Sequence, residues 1–305
     1  MSTELARTPD LAALIEVVLN TLPSKNSRRV YDMHLRGYLE WVQATGAAPG
    51  RLGVQQYVRH LTDAGKLPST VNLALSAVRK LYSEAAAHGW IDDAMAAAVD
   101  RIPNQRRLGQ HAGNWLDADA MARMLALPDL TTVGGRRDSA VLHLLYACAL
   151  RRSEVVGITV GHLQEREGRL CLVDMRGKGQ RVRTVPVPQW AEGSLLWWQE
   201  YRRVADDAED HEPYITALGG ESLHDRTVYD IVNRYRIAAG IASTVGPHDL
   251  RRSNAKHQLK GGAPIEQISI NLGHSSIATT QRYLGVDLDL ERPACDFMPV
   301  PGAGK

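Results

Sequence analysis

The stretch Ser139-Ala-Val-Leu-His-Leu-Leu-Tyr-Ala-Cys-Ala-Leu-Arg-Arg-Ser-Glu154 joins an apolar run to a polar tetrapeptide. Residues 139–149 are apolar nearly all round, which predicts a helix buried in the core of a domain. Arg151 and Glu154 follow it three positions apart, so at the start of a second helix they would share one face. A carboxylate there can hold the guanidinium in place, and it favours the positive end of that helix.

The composition is that of an ordinary globular protein. The chain has 305 residues, of which 44% are hydrophobic and 23% charged. This length fits about two domains, each able to bury its own core. The net charge of +2 at pH 7 argues neither for nor against a nucleic-acid partner, so any basic surface must come from local clusters of Arg and Lys.

Cysteine usage and the N-terminus indicate the compartment. Cys148, Cys171 and Cys295 are odd in number and widely spaced, and two of them lie in apolar runs. This pattern predicts buried free thiols in a reducing cytosol. The start Met-Ser-Thr-Glu-Leu lacks the basic residues and apolar run of a signal peptide, and no stretch reaches membrane-spanning length. We therefore expect a cytoplasmic protein with no membrane partner.

Helical periodicity covers the first hundred residues. Four helices are predicted, over residues 12–22, 30–42, 54–62 and, after a cap at Ser69 or Thr70, 71–82. The fourth has an apolar stripe for the core and an opposite polar face that is either solvated or a binding surface. That face carries Asn72, Ser76, Arg79 and Lys80. Residues 1–100 are predicted to form an N-terminal helical domain.

Residues 101–113 break the periodicity and are predicted to be a linker between two domains. The stretch contains Pro103, Gly109 and Gly113, and polar segments punctuated by Pro and Gly commonly connect globular units. Its arginines include Arg106 and Arg107, which either lie along a binding surface or keep the linker soluble.

The second half is predicted to be helical around one small β region. Residues 169–187 contain a strand at 170–173, a Gly177-Lys178-Gly179 turn and a β-branched strand at 182–187. Helices are predicted over 193–204, 226–239, 249–260, 264–272 and 276–283, with a further one capped by Asp117. We assign residues 114–290 to this domain and 291–305 to a C-terminal tail.

Six side chains in this half form a set able to cut a phosphodiester bond without a metal. Arginine forks can hold two non-bridging oxygens, proton donors can neutralise the leaving oxygen, and a tyrosine can attack phosphorus. The sequence has neither a P-loop nor paired metal-binding carboxylates, so we expect no cofactor and no metal. The six are Arg151, Lys178, His248, Arg251, His274 and Tyr283.

The set stands in the order Arg, Lys, His-x-x-Arg, His, Tyr, with Tyr283 nine residues after His274. In this order, across residues 25–285, the chain resembles the tyrosine recombinase (phage integrase) family. The resemblance implies a mainly α, two-domain fold with a small β-sheet. Its N-terminal core-binding domain and C-terminal catalytic domain would close on duplex DNA as a C-shaped clamp. It also implies a homotetramer acting at inverted-repeat sites, in a nucleoid-associated protein.

The resemblance further implies a role for each member of the set. Tyr283 is the nucleophile, and Lys178, at the tip of the hairpin, protonates the leaving 5′ oxygen. The two arginines and two histidines bind the scissile phosphate, and Glu154 holds Arg151 in place. Arg252 stands where the family commonly has histidine, and no catalytic role is carried over to it. Because the N-terminal domain of the family clamps DNA, the polar face of the fourth helix and the linker arginines are expected to contact phosphates.

Two other functions are weighed against a recombinase. A type IB topoisomerase uses a similar residue set to relax supercoils, but the N-terminal helical domain and the spacing from His274 to Tyr283 favour the recombinase. A non-catalytic DNA-binding protein would need neither Lys178 nor Tyr283. The DNA target and the kind of element served (phage, integrative element, transposon or chromosome-dimer resolution) stay open. In the tail, Phe297-Met298 is the apolar pair expected to anchor on a neighbouring subunit.

Overall fold

The structure is a computed structural model that describes residues 11–106, 114–177 and 182–285. The chain divides into two compact units, residues 1–110 and 111–305. The described residues are mainly helical with one small sheet, which confirms the predicted fold class. Lys178, Arg107, Cys295 and the tail from Val286 to Lys305 lie outside the described residues.

The first unit is a set of helices packed around one central helix. Its helices are α1 Leu11–Asn20, α2 Lys25–Thr45, α3 Arg51–Asp63, α4 Pro68–Ala87 and α5 Asp93–Asp100. α4 packs against each of the other four, because it buries Val71, Leu75 and Val78 on its apolar stripe. The predicted cap at Ser69 or Thr70 is wrong, since α4 begins at Pro68. Proline fits the first turn because its missing N–H would have no partner there.

The second unit holds most of the helices. They are α6 Ala118–Leu125, α7 Val133–Tyr146, α8 Arg152–Gly157, α9 Gln189–Val204, α10 Asp225–Ala238, α11 Pro247–Lys260, α12 Ile265–Leu272 and α13 Ile277–Leu284. Asp117 caps α6 as predicted, its side chain accepting from the backbone N–H of Ala120 at 2.7 Å. None of the described helices is both long enough and apolar enough to span a membrane. Cys148 and Cys171 are buried free thiols, as predicted.

α7 is buried as predicted, but it ends at Tyr146 rather than Ala149. Ala149 has a φ of 51°, a left-handed conformation that an α-helix cannot continue through. The backbone N–H of Leu150 donates to the carbonyl of Leu144 at 3.0 Å and closes the turn. This turn places Arg151 at the N-cap of α8, so the residues that follow the buried helix begin a new one.

The sheet has three antiparallel strands in the order β1 (Leu163–Arg166), β2 (Arg169–Arg176) and β3 (Val182–Pro186). The two strands predicted from the sequence are present. β1 was missed because only Leu163 of its four residues is buried, so it lacks an apolar pattern. An irregularity in β2 between Leu172 and Met175 shifts the register against β3.

Candidate active site

A buried carboxylate, that of Glu154, organises the cationic side chains of the second unit. Its Oε1 accepts hydrogen bonds from Nη1 of Arg151 at 2.7 Å and from Nη1 of Arg183 at 3.1 Å. Its Oε2 accepts from the backbone N–H of Arg151 at 2.8 Å and from Nη2 of Arg183 at 2.9 Å. Nη1 of Arg251 lies 3.8 Å from the same Oε2. One carboxylate therefore contacts three guanidiniums.

The charges in this cluster do not cancel. Burial alone would raise the pKa of Glu154, but hydrogen bonds from Arg183 and Arg151 and the charges of both bring its pKa below the usual range. Burial, followed by repulsion from Arg151, lowers the pKa of Arg251 to about 10, so this arginine stays protonated at neutral pH. The cluster thus keeps an excess of positive charge, which suits it to hold an anion.

Arg251 is the most enclosed cation of the cluster, with no exposed surface. It lies on α11 and donates through Nη1 to the carbonyl of Ala149 at 2.5 Å and through Nη2 to the carbonyl of Leu272. The turn after α7 and the end of α12 thus hold it from two sides. Its Nε is buried and has no hydrogen-bond partner among the described residues.

The ring of Tyr283 contacts two imidazoles. It lies edge to face with His248 and with His274, at centroid distances of 5.2 Å and 5.4 Å. The hydroxyl of Tyr283 donates to the backbone carbonyl of His248 at 3.2 Å. Nδ1 of His274 lies 2.9 Å from the hydroxyl oxygen of Thr280, which is fully buried. The three predicted residues are thus brought together from three elements. His248 comes from the start of α11, His274 from the segment after α12, and Tyr283 from α13.

The surroundings of both imidazoles favour the neutral form. Burial, then the charges of Arg251 and Arg151, lower the pKa of His274 to about 4. Burial, then the charges of Arg251 and Arg252, also lower the pKa of His248. A neutral imidazole has one N–H donor and one nitrogen acceptor, so each can give or take a proton without adding to the charge of the cluster.

Arg252 lies over the ring of Tyr283, although no catalytic role was carried over to it from the resemblance. Its guanidinium carbon is 4.9 Å from the centroid of the Tyr283 ring, and its Nε is buried without a hydrogen-bond partner among the described residues. Burial raises the pKa of Tyr283, whereas the charges of Arg251 and Arg252 act to lower it. A cation over the ring face is attracted to a phenol and more strongly to a phenolate.

Arg183 is the residue that the sequence reasoning missed. It lies on β3, and its side chain points to the same side of the sheet as buried Val185, two positions later. Its Nε donates to the carbonyl of Asn271 at 3.1 Å, and its side chain is only 8% exposed. A charged residue at an inward position of a strand needs a buried partner. That alternation with Val185 was the one indication in the sequence.

Two residues of the predicted DNA-binding face of α4 have partners within the first unit. The side-chain amide of Asn72 donates to the carbonyl of Gln105 at 3.0 Å, and its oxygen accepts from the N–H of Gln105 at 2.7 Å. Arg79 donates to the side chain of Asn104 at 3.0 Å and to the carbonyl of Ile102. These two side chains hold residues 102–105, the first part of the predicted linker, against α4.

The other members of that face have local partners. The Ser76 hydroxyl donates to the carbonyl of Asn72, one turn earlier, at 2.8 Å. Lys80 pairs with Glu84 at 2.7 Å. Arg106, next in the chain, is exposed.

Comparisons with known proteins agree with this architecture. Residues 114–288 match the family described as "Phage integrase family", and residues 16–89 match "Phage integrase, N-terminal SAM-like domain". The tyrosine recombinase XerD of Xanthomonas axonopodis pv. citri (strain 306) is 33% identical over 269 residues, which cover 83% of this chain and 84% of the relative.

Two solved structures share the fold. The XerH site-specific recombinase, bound to palindromic difH substrate in a post-cleavage complex, has a TM-score of 0.71 at 17% identity, covering 84% of this chain and 75% of that one. A lambda integrase tetramer bound to a Holliday junction has a TM-score of 0.65 at 14% identity, covering 92% and 78%. At these identities the likeness is one of fold.

Proposed function

The chain belongs to the phage integrase family of tyrosine recombinases, and from this premise we propose that it cuts and rejoins duplex DNA through a 3′-phosphotyrosyl intermediate. One observation carries the proposal. The phenol of Tyr283 lies against two imidazoles, beside a cluster in which three arginines surround the single carboxylate of Glu154. This is an anion-binding site with a nucleophile at its edge.

Cleavage follows from the chemistry of these groups. Arg151 and Arg251 bind the non-bridging oxygens of the scissile phosphate and stabilise the charge that develops in the transition state. His248 and His274 contribute neutral N–H donors to the same phosphate. The Tyr283 hydroxyl gives up its proton, to a neighbouring imidazole or to water, and its oxygen attacks phosphorus. The bond from phosphorus to the 5′ oxygen breaks as the bond to the tyrosine forms.

The leaving oxygen needs a proton, which we assign to Lys178, a residue outside the described part of the chain. The products are a 3′-phosphotyrosyl bond and a free 5′ hydroxyl. Because the phosphotyrosyl bond conserves the energy of the broken ester, a 5′ hydroxyl from a partner strand can reverse the step with no external energy source. Strand exchange between two sites is cleavage by Tyr283 at the phosphate of one strand, followed by attack of the other strand's 5′ hydroxyl on the phosphotyrosyl bond, which releases the tyrosine.

We assign DNA binding to residues 1–100, catalysis to residues 114–290 and subunit contact to the tail at 291–305, with the two domains closing on duplex DNA as a clamp. DNA contact by Asn72, Ser76, Arg79, Lys80, Arg106 and Arg107 is part of the proposal. The tetramer of lambda integrase and the palindromic substrate of XerH support a homotetramer acting on inverted repeats here.

The central test is a covalent trap. A nicked duplex that loses its 5′ hydroxyl fragment on cleavage should accumulate a protein–DNA adduct, and peptide mapping should place the label on Tyr283. An adduct at another residue would contradict the mechanism. Relaxation of a supercoiled plasmid without any recombination of paired sites would instead identify a type IB topoisomerase, and DNA binding with no adduct would identify a non-catalytic protein.

Lys178 has its own test. Lys178→Ala should slow cleavage of an ordinary substrate strongly, because the 5′ oxygen then leaves without a proton. Replacing that bridging oxygen by sulfur, a far better leaving group, should restore most of the rate. Absence of rescue would assign the lysine to binding.

A further inference from the structure

Arg183 makes the only bidentate ion pair with Glu154 in the described cluster. We propose that it is a positioning residue for Arg151 and Arg251, the two phosphate-binding arginines. By pairing with both oxygens of Glu154, it keeps this carboxylate from pairing fully with either of them and so fixes their orientation. The inference rests on the proposed function, since it concerns the same phosphate site. It assigns a task to a residue outside the set of six predicted from the sequence.

The contacts of Arg183 leave it no direct part in binding DNA. Nη1 and Nη2 donate to the two oxygens of Glu154, and Nε donates to the carbonyl of Asn271. All three guanidinium nitrogens therefore have partners within the protein, and the side chain is almost fully enclosed. Arg251 is enclosed as well, but its Nε has no partner among the described residues and keeps a donor for the phosphate. Any effect of Arg183 on the reaction must pass through the groups that it contacts.

The first of these groups is Glu154, whose geometry decides what Arg151 can do. Arg151 reaches the carboxylate with one terminal nitrogen, Nη1, while its Nη2 lies 3.5 Å from the carbonyl of Leu272. That distance is long for a hydrogen bond, so Nη2 keeps capacity for a phosphate oxygen. Because Arg183 already bonds to both oxygens of Glu154, Arg151 cannot also form a bidentate pair with this carboxylate.

Loss of Arg183 would change this balance. A carboxylate prefers bidentate pairing with a guanidinium, and an uncompensated buried charge is costly. Glu154 would then draw Arg151 into a fork, or draw in Arg251, whose Nη1 is already 3.8 Å away. In either case an arginine nitrogen needed for the phosphate would turn toward the protein.

The second group is the end of α12, which leads to His274. Arg183 holds the carbonyl of Asn271, while Arg251 holds that of Leu272. Gly273 then turns the chain with a φ of 60°, and a β-carbon there would lie 3.0 Å from Cδ of Arg183. The stem of Arg183 thus fills the space next to Gly273, so the arginine and this turn fit each other.

The test compares two substrates under single-turnover conditions. One has the ordinary scissile phosphate, and the other has a methyl group in place of one non-bridging oxygen, so that it is neutral. Arg183→Gln should slow cleavage of the charged phosphate by about a hundredfold or more, the loss typical of a misplaced electrostatic stabiliser. It should slow cleavage of the neutral methylphosphonate far less, because that substrate carries little negative charge for the arginines to stabilise. Binding of DNA should change by no more than about twofold, because Arg183 itself makes no DNA contact.

Two further variants keep the test informative if Arg183→Gln folds poorly. Arg183→Lys keeps the positive charge but cannot form a bidentate pair with Glu154, so it should give the same selective loss in weaker form. Arg166→Gln is the matched control, since Arg166 is an exposed arginine of the same sheet that bonds only to Gln164 among the described residues. It should cleave both substrates at the wild-type rate.

Equal slowing on both substrates would overturn the inference, because it would mark a purely structural role. An unchanged rate, or rescue of Arg183→Gln by a bridging sulfur, would overturn it as well, the latter because it would place the defect at the leaving oxygen. Failure of the proposed function has a different signature. In that case the wild-type protein itself would not cleave, or Tyr283→Phe would.

Discussion

Among its described residues, the second unit contains two buried carboxylates that each bind arginines, Glu154 and Asp138. Asp138 is 2% exposed, and its Oδ1 accepts from Nε and Nη2 of Arg137 at 3.0 Å and 2.7 Å. Its Oδ2 accepts from Arg234 at 3.2 Å and from the hydroxyl of Tyr235 at 3.0 Å. By residue type the two clusters are alike, since each has a buried acid, arginines and a nearby tyrosine.

The clusters differ in the charge that lies next to the tyrosine, which is a carboxylate for Tyr235 and arginines for Tyr283. Burial, then the carboxylate of Asp138, raises the pKa of Tyr235 to about 12, so this phenol is held in its protonated form. Tyr283 bonds to a backbone carbonyl instead, and the cations Arg251 and Arg252 oppose the effect of its burial. An acid that binds the hydroxyl makes a structural tie between helices. Burial also leaves the pKa of Tyr283 raised, but the cations in excess of the acid act to lower it and would stabilise negative charge on the phenol oxygen.

The largest expected effect separates the two tyrosines. Tyr283→Phe removes one oxygen and keeps the ring, so cleavage should fall by at least about ten-thousand-fold, the scale of losing a nucleophile. Tyr235→Phe should leave the cleavage rate within about twofold and cost about 1 kcal/mol of folding free energy from one lost hydrogen bond. Single-turnover cleavage and denaturant unfolding measure the two quantities. Cleavage by Tyr283→Phe near the wild-type rate would erase the distinction.

The second prediction compares the carboxylates. Glu154→Gln should lower the cleavage rate by about a hundredfold, because the arginines it holds lose their anchor. Asp138→Asn should lower the unfolding free energy by about 3 kcal/mol, since it leaves buried arginine unpaired, while the folded fraction cleaves normally. The measurements are single-turnover rates and urea titrations for both variants. If Asp138→Asn impaired cleavage as severely as Glu154→Gln, the two clusters would not differ in function.

The smallest expected effect concerns Arg252, the cation that lies over the Tyr283 ring. Below its pKa Tyr283 is mostly protonated, so the cleavage rate should rise with pH. Removing Arg252 raises the pKa of Tyr283, which moves this rise to higher pH and lowers the rate at neutral pH by up to about tenfold per pKa unit. Arg252→Gln and the control Arg226→Gln, whose arginine is exposed and lies 5.4 Å from the centroid of the Tyr229 ring, should be compared in full pH profiles. Identical profiles for wild type and Arg252→Gln would show that Arg252 does not tune the phenol.

Local patterns predicted much of the fold and part of the site. The spacing of Arg151 and Glu154 gave their shared face, and the structure joins them at 2.7 Å. The cap at Asp117 and the burial of α7 also follow from neighbours in the sequence. For Arg183 the alternation with Val185 indicated an inward side chain, but the partners of Arg183 and Arg252 could not be found this way, because they are distant in the chain.

The polar face of α4 is a second case in which a local pattern does not predict a contact with a distant segment. Its pattern fits a solvated helix surface, and nothing in the spacing of Asn72 and Arg79 indicates that a non-helical segment covers them. The structure places residues 102–105 there, bonded to both side chains. A helical pattern says which side of a helix is polar, but it does not say what occupies that side.

The cluster around Glu154 also has a consequence for how the protein folds. Its bonds join residues 29 positions apart for Arg183 with Glu154, 102 for Arg251 with Ala149, and 121 for Arg151 with Leu272. Contacts of such separation form only after long loops have closed, so they come late in folding. A nascent chain released before α11 and α12 are made would carry Arg151 and Glu154 but no Arg251. On the proposed mechanism, the phosphate site is therefore complete only when the whole domain has been made, and a chain truncated before α11 would lack His248, Arg251 and Tyr283.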